Sequence, residues 1–523
     1  MPDSRFDLWQ EPWIGVEAGG GIQTVSLHDA LVNAHQYRAL HEQFPLMVAG
    51  NLRFLIAIAQ AIFAPGSEKD LKHLLSAGKF PRDRIDAFRQ QYGHRFDLFS
   101  PEAPFYQAVD LPADLPEKPV SGTSSVARLT VDTPSGDYTT FRKPGHESQN
   151  FYCPACATKA LLVLPAFATT GGPGFRPSIC GIPPIYTFPE GKNLFESLVL
   201  SLTLPEYQPE MRDAVDDLAW WVRESVVSKG QETKESGYLH SLTFVPRRVR
   251  LYPEAGFQPC TRCGTRFDVG VRMIHFEPGE YRSKTAPVWM DPFVAYRPSK
   301  GRAIQPRRGG IPMRELPLLL TVSDENLRRP RIVDQVVDLQ LPAKAFRFIG
   351  VATDNAKYID VAENYIALDE DGILRSPGAR EALGYADKAI NAVRPALKSV
   401  SAQAADDIYN AAWGRLIGPV RELISSGFSH AGQLAWVNAV TKAVSSTFYA
   451  LARGHAPWPI LANADSFCAN ILRKKRKQYL ESLGIPDEDP VDENNETQAD
   501  RQEKLLADAA ELTKRLEKIT PEV

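Results

Sequence analysis

Four of the six cysteines form two Cys-x-x-Cys pairs, Cys153 with Cys156 and Cys260 with Cys263. Two thiolates separated by two residues can bind one metal ion, and two such pairs complete the tetrahedral shell of a structural zinc site. We therefore predict one shared Zn²⁺. Two alternatives stay open: four ordinary reduced thiols, and a redox pair, although no thioredoxin-like βαβ pattern surrounds either pair. A closed four-thiolate shell has no open position for a substrate, so it indicates architecture rather than zinc catalysis.

A glycine-rich loop lies between the two cysteine pairs. It contains Gly171, Gly172, Pro173 and Gly174, and Arg176 follows. The loop matches neither the phosphate-binding P-loop nor the dinucleotide fingerprint, so the sequence does not support nucleotide binding. Glycines let the backbone approach a partner closely, including the floor of a DNA groove. From the residues alone, an ordinary tight turn is the favoured interpretation of the loop.

The chain has 60 Lys and Arg against 63 Asp and Glu, a formal net charge of -3. A nucleic-acid site must therefore be local. Two basic clusters are candidates for phosphate contact, one in a Gly/Pro-rich loop and one on a predicted helix. Five consecutive charges on a helix point all round it, so part of the second cluster is ordinary solvated surface. The candidates are Arg297, Lys300, Arg302, Arg473, Lys474, Lys475, Arg476 and Lys477.

No enzyme motif is recognisable. The sequence contains no HExxH, GxSxG or P-loop pattern. The dipeptide His28-Asp29 lacks the companion His and Asp residues that a metal hydrolase needs, and a helix-capping Asp beside a surface His explains it better. We therefore expect no enzymatic activity, and a metal-dependent nucleic-acid enzyme ranks last among the functions considered.

The elements that must position these groups form an α+β protein: a large mixed N-terminal domain, 1–378, followed by a C-terminal helical bundle of about four helices, 379–523. In the first domain, Ser26 and Asp29 form a capping box that begins a helix. Further helices are predicted near Leu194–Thr203 and Met211–Glu224.

Beyond about residue 380, the strand signals end and apolar residues recur every three or four positions. A last helix is predicted around Leu505–Ile519. These patterns favour helix-on-helix packing. One apolar stripe consists of Leu434, Val437, Val440, Val444, Phe448 and Leu451.

The N-terminus has a charged start and no apolar signal region, so we expect a cytoplasmic protein with no membrane partner. The most apolar stretch, Leu46–Ala64, is interrupted by Asn51 and Arg53. A membrane span needs about 20 predominantly apolar residues. The stretch is therefore predicted to be a core helix of a soluble protein.

Several stretches, taken in order, resemble the CasA-type large subunit of the type I-E CRISPR Cascade surveillance complex. They are Phe6–Val16, Val25–Leu31, Phe96–Phe99 and Pro104–Gln107. The two cysteine pairs, the glycine loop and the closing helical region occur in the same order as in that family. The resemblance spans essentially the whole chain.

The resemblance implies a non-catalytic subunit for antiviral defence that recognises the protospacer-adjacent motif (PAM) of double-stranded target DNA from the minor groove. It also implies a role in initial strand separation and R-loop formation, and in recruiting the helicase-nuclease. The implied partners are the backbone, 5′-handle-binding and small subunits of Cascade, the guide crRNA, the target duplex and the helicase-nuclease. An alternative of another class is a zinc-ribbon scaffold that assembles a ribonucleoprotein without reading DNA.

The resemblance also assigns roles to residues. The glycine loop, Gly171–Gly174, would enter the minor groove, where a backbone contact gives a readout tolerant of several PAMs. Arg282 and Lys284 are candidates for a basic finger. A wedge that splits the first base pair would be formed by Asp354, Asn355, Ala356 and Lys357, with Asn355 at its tip. Within a long mobile loop, about 112–150, the segment docking near the guide RNA would be Val126, Ala127, Arg128, Leu129, Thr130 and Val131.

Overall fold

The structure is a computed structural model, and it divides the chain into two compact units, Met1–Glu370 (unit 1) and Asp371–Val523 (unit 2). Both helices and sheets are present, which confirms the mixed α+β class. The domain boundary predicted from the sequence was placed at residue 378. The structure describes residues 5–118, 120–130, 150–210, 217–224, 226–297, 301–306, 319, 328–354, 357–367, 377–398, 401–426, 429–454 and 458–487.

Unit 1 contains short helices around one long apolar helix. The Ser26 hydroxyl accepts a hydrogen bond from the Asp29 backbone N–H at 3.2 Å, which confirms the capping box at the start of the first helix. The helices of unit 1 are α1 (Leu27–Val32), α2 (Pro45–Phe63), α3 (Glu68–Ser76), α4 (Arg82–Tyr92), α5 (Pro154–Phe167), α6 (Leu194–Leu200), α7 (Tyr238–Leu242) and α8 (Arg331–Asp338).

Helix α2 is the centre of the unit 1 core. It is the one described helix that is long and apolar enough to span a membrane, but 94% of its apolar window is buried inside the protein. Gly50 allows close packing on α5, because a Cβ there would lie 2.7 Å from the Leu162 carbonyl oxygen. The prediction of a core helix is confirmed.

The strands of unit 1 form several small sheets. The longest pair is the antiparallel hairpin of β7 and β8, in which Arg247 is paired with Pro278 at one end and Pro259 with Arg266 at the other. The strands are β1 (Ile14–Ala18), β2 (Gly21–Val25), β3 (Ala39–Leu40), β4 (Thr123–Ser125), β5 (Tyr186–Glu190), β6 (Glu232–Thr233), β7 (Arg247–Pro259), β8 (Arg266–Pro278), β9 (Tyr281–Arg282), β10 (Tyr296–Arg297), β11 (Arg302–Ala303), β12 (Ala345–Asp354) and β13 (Lys357–Ala367).

Three sheets matter for the candidate site. Strand β8 lies between β4 and β7, β12 lies between β13 and β5, and β10 pairs with β11. Strand β5 pairs with β12 only over Ala345–Ile349, so the second half of β12 pairs with β13 alone. A Cβ at Gly350 would lie 2.5 Å from Pro306 Cγ, so this glycine permits close packing of β12.

The predicted helix Met211–Glu224 is wrong over its described second half, where residues 217–224 are irregular with one turn at 220–222. The two tryptophans of this stretch, Trp220 and Trp221, are buried among other aromatic rings. The Trp220 backbone N–H donates to Thr243 Oγ1 at 2.9 Å. Burial of these side chains against residues distant in sequence therefore overrides the helical period of the segment.

Part of the predicted long mobile loop, 123–129, is regular structure. Strand β4 pairs with β8, and the next residues form a 3₁₀ helix, Val126–Leu129. Val126, Ala127 and Leu129 are buried, which explains why this part of the loop is folded. Residues 131–149, including Val131, lie outside the described residues.

The described part of unit 2 contains five helices. They are α9 (Pro377–Lys398), α10 (Ala402–Gly414), α11 (Ile417–Ser425), α12 (His430–Arg453) and α13 (Trp458–Ser482). In α12, the predicted apolar stripe faces the interior of unit 2, because Val437, Val440, Val444 and Phe448 are fully buried. The predicted last helix, Leu505–Ile519, lies outside the described residues.

Candidate metal centre and nucleic-acid interface

The two cysteine pairs meet at one end of the β7–β8 hairpin. Cys153 is the N-cap of α5, and Cys156 lies in the first turn of that helix. Cys260 and Cys263 lie in the turn that joins β7 to β8. Gly264 has a φ of +76°, and its N–H donates to the Cys260 carbonyl at 2.9 Å, so a residue without a Cβ suits the closure of this turn.

The four sulfurs have the spacing of a metal shell. The ligand atoms of Cys153, Cys156, Cys260 and Cys263 all lie within 4.8 Å of one another, and three of the four residues are buried. The Sγ atoms of Cys153 and Cys263 are 3.8 Å apart. In a tetrahedron with Zn–S bonds of about 2.3 Å, neighbouring sulfurs are about 3.8 Å apart. The cluster can therefore hold a metal ion, as the sequence predicts.

Backbone N–H groups stabilise negative charge on this cluster. The N–H groups of Cys153 and Arg262 point at Cys260 Sγ, at 3.3 and 3.4 Å. Hydrogen bonds from Cys153 and Cys156 lower the pKa of Cys260 to about 6, and the same two thiols lower the pKa of Cys263. The same network of thiols raises the pKa of Cys153 and Cys156, so two of the four sulfurs are favoured as thiolates, the form that binds metal.

The glycine loop lies at the other end of the same hairpin. It follows α5, and Gly171, Gly172, Pro173 and Gly174 are all exposed. Gly172 and Gly174 have φ values of +133° and +81°, which L side chains rarely adopt. The loop therefore presents backbone, with no large side chain, to its surroundings.

Aromatic rings support the glycine loop from beneath. The ring of Phe175 stacks on Phe276 of β8 at 5.6 Å, and its N–H donates to the Gly172 carbonyl at 3.2 Å. The guanidinium of Arg128, from the predicted docking segment, lies 5.3 Å from the Phe175 ring and 4.9 Å from the Phe276 ring. The described part of that segment, Val126–Thr130, is thus packed next to the glycine loop.

A buried arginine fixes the two sides of the glycine loop. Arg247, the first residue of β7, donates to the carbonyl of Thr169 before the loop, and to that of Arg176 after it at 2.8 Å. Its guanidinium also lies 5.0 Å from the centre of the Phe175 ring. Burial lowers the pKa of Arg247 to about 10. The position of the exposed glycines therefore depends on this residue.

The predicted wedge occupies the end of the β12–β13 hairpin. Asp354 and Lys357 are paired across it, and Asn355 and Ala356 lie outside the described residues. Tyr358 follows Lys357 in β13, and its hydroxyl donates to the Phe167 carbonyl at 2.9 Å. Phe167 lies four residues before the glycine loop. The structure thus brings the wedge hairpin to the same end of α5 as the glycine loop.

The two candidates for the basic finger differ. Arg282 donates to the carbonyls of Ala286 and Pro287 at 3.0 and 2.8 Å, so it stabilises the loop that follows it. Lys284 is exposed within that loop. Arg176, which ends the glycine loop, lies 5.9 Å from the Tyr281 ring beside Arg282. The predicted finger segment is therefore next to Arg176 of the glycine loop, and Lys284 is the exposed one of its two candidate cations.

The candidate phosphate contacts lie in both units. In unit 1, Arg302 is exposed and paired with Arg297 across β10 and β11, and Lys300 lies outside the described residues. In unit 2, the exposed or half-exposed cations of α13 are Arg473, Lys474, Lys475 and Lys477.

Arg476 differs from its neighbours on α13. It is buried and donates to Asp487 and Asn438, both at 2.8 Å. Its guanidinium therefore stabilises the interior of unit 2. Only the other four cations of this cluster face solvent.

Sequence reasoning missed Arg247, Phe175 and Tyr358, whose partners are distant in the chain. One signal was available, because three arginines, Arg247, Arg248 and Arg250, are among the first four residues of β7, and all three are buried. Buried arginines are rare without a structural or functional role.

The fold, a mixed α+β unit followed by helices, is similar to that of solved CRISPR-associated proteins. It matches the crystal structure of Cse1 from Acidimicrobium ferrooxidans with a TM-score of 0.69 at 23% identity, over 92% of this chain and 99% of that one. A CRISPR-associated protein from Thermus thermophilus gives a TM-score of 0.70 at 22% identity, over 90% and 100%. A chain of a structure described as "CRISPR RNA-guided surveillance complex" gives 0.64 at 18%, over 91% and 99%.

The sequence identifies the family. The family model described as CRISPR-associated protein Cse1 matches residues 7–453. The CasA/Cse1 protein of Thermus thermophilus is 29% identical over 431 residues, which is 77% of this chain and 78% of that protein. The chain therefore belongs to the CRISPR-associated Cse1 family, and the resemblance stated from the sequence is confirmed.

Proposed function

We propose that this protein is the large subunit of a CRISPR RNA-guided surveillance complex of the Cascade type, and that it reads the PAM of double-stranded DNA from the minor groove without cutting it. In this proposal, it promotes the first strand separation and recruits the helicase-nuclease. Its partners are the backbone, 5′-handle-binding and small subunits, the crRNA and the target duplex. Family membership supports the assembly role.

One observation supports the DNA-reading role. Three separate segments, which are the wedge hairpin, the segment around Arg128 and the start of β7, meet at the exposed glycine loop. The wedge hairpin is joined to the Phe167 carbonyl by Tyr358, and Arg128 lies over Phe175 below the loop. Arg247 holds both sides of the loop. A backbone loop supported from below, with a hairpin beside it, suits entry into a groove and separation of the adjacent base pair.

The metal centre has a structural role in this proposal. Cys153, Cys156, Cys260 and Cys263 hold one Zn²⁺, which joins the start of α5 to the turn between β7 and β8. Because α5 leads to the glycine loop and the hairpin supports it, the ion fixes the relative position of both. The exposed cations of α13 are proposed as a phosphate track.

The test is duplex binding by the complex reconstituted with and without this subunit, at fixed salt, with targets that differ only in the PAM. We expect binding that requires the subunit and depends on the PAM. Gly172→Asp should abolish the PAM dependence, because it places a charged side chain on a backbone with a φ of +133°. Gly78→Asp is the matched control, since Gly78 lies outside the loop, also has a positive φ of +71°, and a Cβ there meets nothing within 4 Å.

The alternative, a scaffold that does not read DNA, predicts a different result. Binding would then be the same for every PAM, and Gly172→Asp would assemble and bind like the parent protein. That outcome would overturn the DNA-reading role while leaving assembly intact. Cleavage of the duplex by the complex without the helicase-nuclease would overturn the non-catalytic role.

A further inference from the structure

Glu280 is a carboxylate with no exposed side-chain surface, and it lies two residues before Arg282, the first candidate of the basic finger. Glutamates are almost never fully buried unless they are paired. Four groups from outside the finger form hydrogen bonds with this carboxylate, so it joins the finger to the rest of unit 1. They are the Arg223 guanidinium at 3.2 Å, the His240 ring at 3.1 Å, the Thr233 hydroxyl at 3.3 Å and the Val245 backbone N–H at 2.6 Å.

The residues just before this carboxylate pack against the glycine loop. A Cβ at Gly174 would lie 3.2 Å from Pro278 Cγ, so the loop passes close to them. Gly279 permits a close approach to Val245, because a Cβ at this glycine would overlap the Val245 carbonyl oxygen. Val245 comes two residues before Arg247, which holds both sides of the glycine loop. The carboxylate is therefore fixed to the same stretch of chain, at the start of β7, as the glycine loop.

Beyond the carboxylate, residues 282–287 fold into a compact turn, which we call the finger loop. Ser283 is buried, and its hydroxyl accepts from the Thr285 N–H at 3.3 Å. The N–H of Ser283 donates to the Thr233 carbonyl at 2.8 Å, and Arg282 donates to two carbonyls of the loop. Lys284 lies between these fixed residues and is exposed. The position of its ammonium group therefore follows from the position of the loop.

We propose that Glu280 is a positioning residue, which holds Lys284 of the finger loop in place beside the glycine loop. The inference rests on the proposed function, because the contact that it positions is a contact with DNA. A glutamine cannot replace this carboxylate. Arg223 donates to both carboxylate oxygens, at 3.2 and 3.3 Å, so the NH2 group of a glutamine would face the guanidinium in either orientation. Glu280→Gln therefore loosens the base of the finger loop without adding bulk.

The experiment is a double-mutant cycle on duplex binding by the reconstituted complex, at fixed salt and with one PAM. Lys284→Ala removes the cation, and Glu280→Gln removes the support of its loop. We expect each single variant to weaken binding roughly tenfold. The double variant should weaken binding by about the same factor, because the two residues act through one contact, whereas independent losses would multiply to about a hundredfold. A purely structural role of Glu280 would weaken binding equally with and without Lys284.

Two further variants complete the design. Thr233→Val removes one hydrogen bond to Glu280 with little change of shape, so it tests the proposal even where Glu280→Gln fails to fold. We expect it to weaken binding roughly threefold, and to have no effect in the Lys284→Ala background. Glu277→Gln is the matched control, because Glu277 is also a buried carboxylate paired with an arginine, at 2.8 Å, but lies outside the finger loop. It should leave duplex binding unchanged.

Single effects that multiply, or parental binding by the Glu280→Gln complex, would overturn the positioning role. Parental binding by Lys284→Ala would overturn it too, because no contact would remain for Glu280 to position. The parent complex separates these failures from failure of the proposed function. If its binding depends on the PAM, DNA reading stands whatever the cycle shows, whereas binding that is the same for every PAM overturns both.

Discussion

The two ends of the β7–β8 hairpin carry different kinds of residue, a cysteine cluster at one end and the support of the glycine loop at the other. At the turn, four cysteine sulfurs gather within 4.8 Å. At the open end, the hairpin supports exposed glycines through Arg247 and Phe276. Each strand has 13 residues, so these ends are roughly 40 Å apart along the strand.

The difference shows how one hairpin can combine a rigid anchor with an adaptable surface. With the proposed ion bound, the cysteine end would depend on a few strong bonds to that ion, so a single substitution would remove the whole interaction. The glycine end depends on several moderate contacts, two carbonyl bonds and stacked rings, whose loss is graded. Substitutions at the two ends should therefore differ in the size of their effect.

The largest effect is expected for Cys260→Ser at the metal end. Structural zinc contributes on the order of 10 kcal/mol of binding free energy in small zinc-binding peptides. We expect zinc content to fall from one ion per chain to nearly none, with a large loss of thermal stability in unit 1. Metal analysis of the purified protein and a thermal unfolding curve measure both.

Cys468→Ser is the control for this substitution. Cys468 is a buried cysteine of unit 2 outside the cluster, so its replacement should leave the zinc content unchanged. Full zinc occupancy in Cys260→Ser would contradict the shared four-sulfur site.

The cysteine end was predictable because its signal is local. Two Cys-x-x-Cys pairs specify a metal shell by residue type and spacing alone, and the structure brings the four sulfurs together. Helix α2 and the stripe of α12 were predictable for a related reason, since a long apolar or periodic pattern leaves few alternatives. The family resemblance then supplied the candidate roles of the glycine loop, the finger and the wedge.

The glycine end could not be predicted in the same way because its contacts join distant segments. Arg247 and Thr169 are 78 residues apart in sequence, and Tyr358 and Phe167 are 191 apart. The periodicity of each segment does not encode such pairings. The predicted helix around Trp220 failed for the same reason, since its tryptophans join an aromatic cluster assembled from other parts of unit 1.

A smaller effect is expected for Arg247→Met at the glycine end. The substitution removes the hydrogen bonds that Arg247 donates to the carbonyls of Thr169 and Arg176, which should lower the free energy of unfolding by about 2 kcal/mol. Chemical denaturation measures this change. Zinc content should stay at one ion per chain, because the cysteines are at the other end of the hairpin.

The matched control is Arg266→Met at the metal end of β8. Arg266 also lies over a ring, 5.6 Å from the centre of Phe257, but that ring is 67% exposed. Surface contacts of this kind contribute less than about 0.5 kcal/mol. Equal losses for the two arginines would mean that Arg247 does not fix the loop.

The smallest effect on stability, and the most informative for function, is expected from one methyl group in the glycine loop. Gly172→Ala forces a side chain onto a φ of +133°, at a cost of about 1–2 kcal/mol, and the control Gly78→Ala forces one onto a φ of +71° outside the loop. If the backbone shape of the loop reads the PAM, Gly172→Ala should reduce the discrimination between PAMs in the reconstituted complex, and Gly78→Ala should preserve it. A Gly172→Ala protein that loses this much stability and still discriminates normally between PAMs would show that the backbone shape of the loop does not read the PAM. The arginine and aromatic support beneath it would then be an element of folding alone.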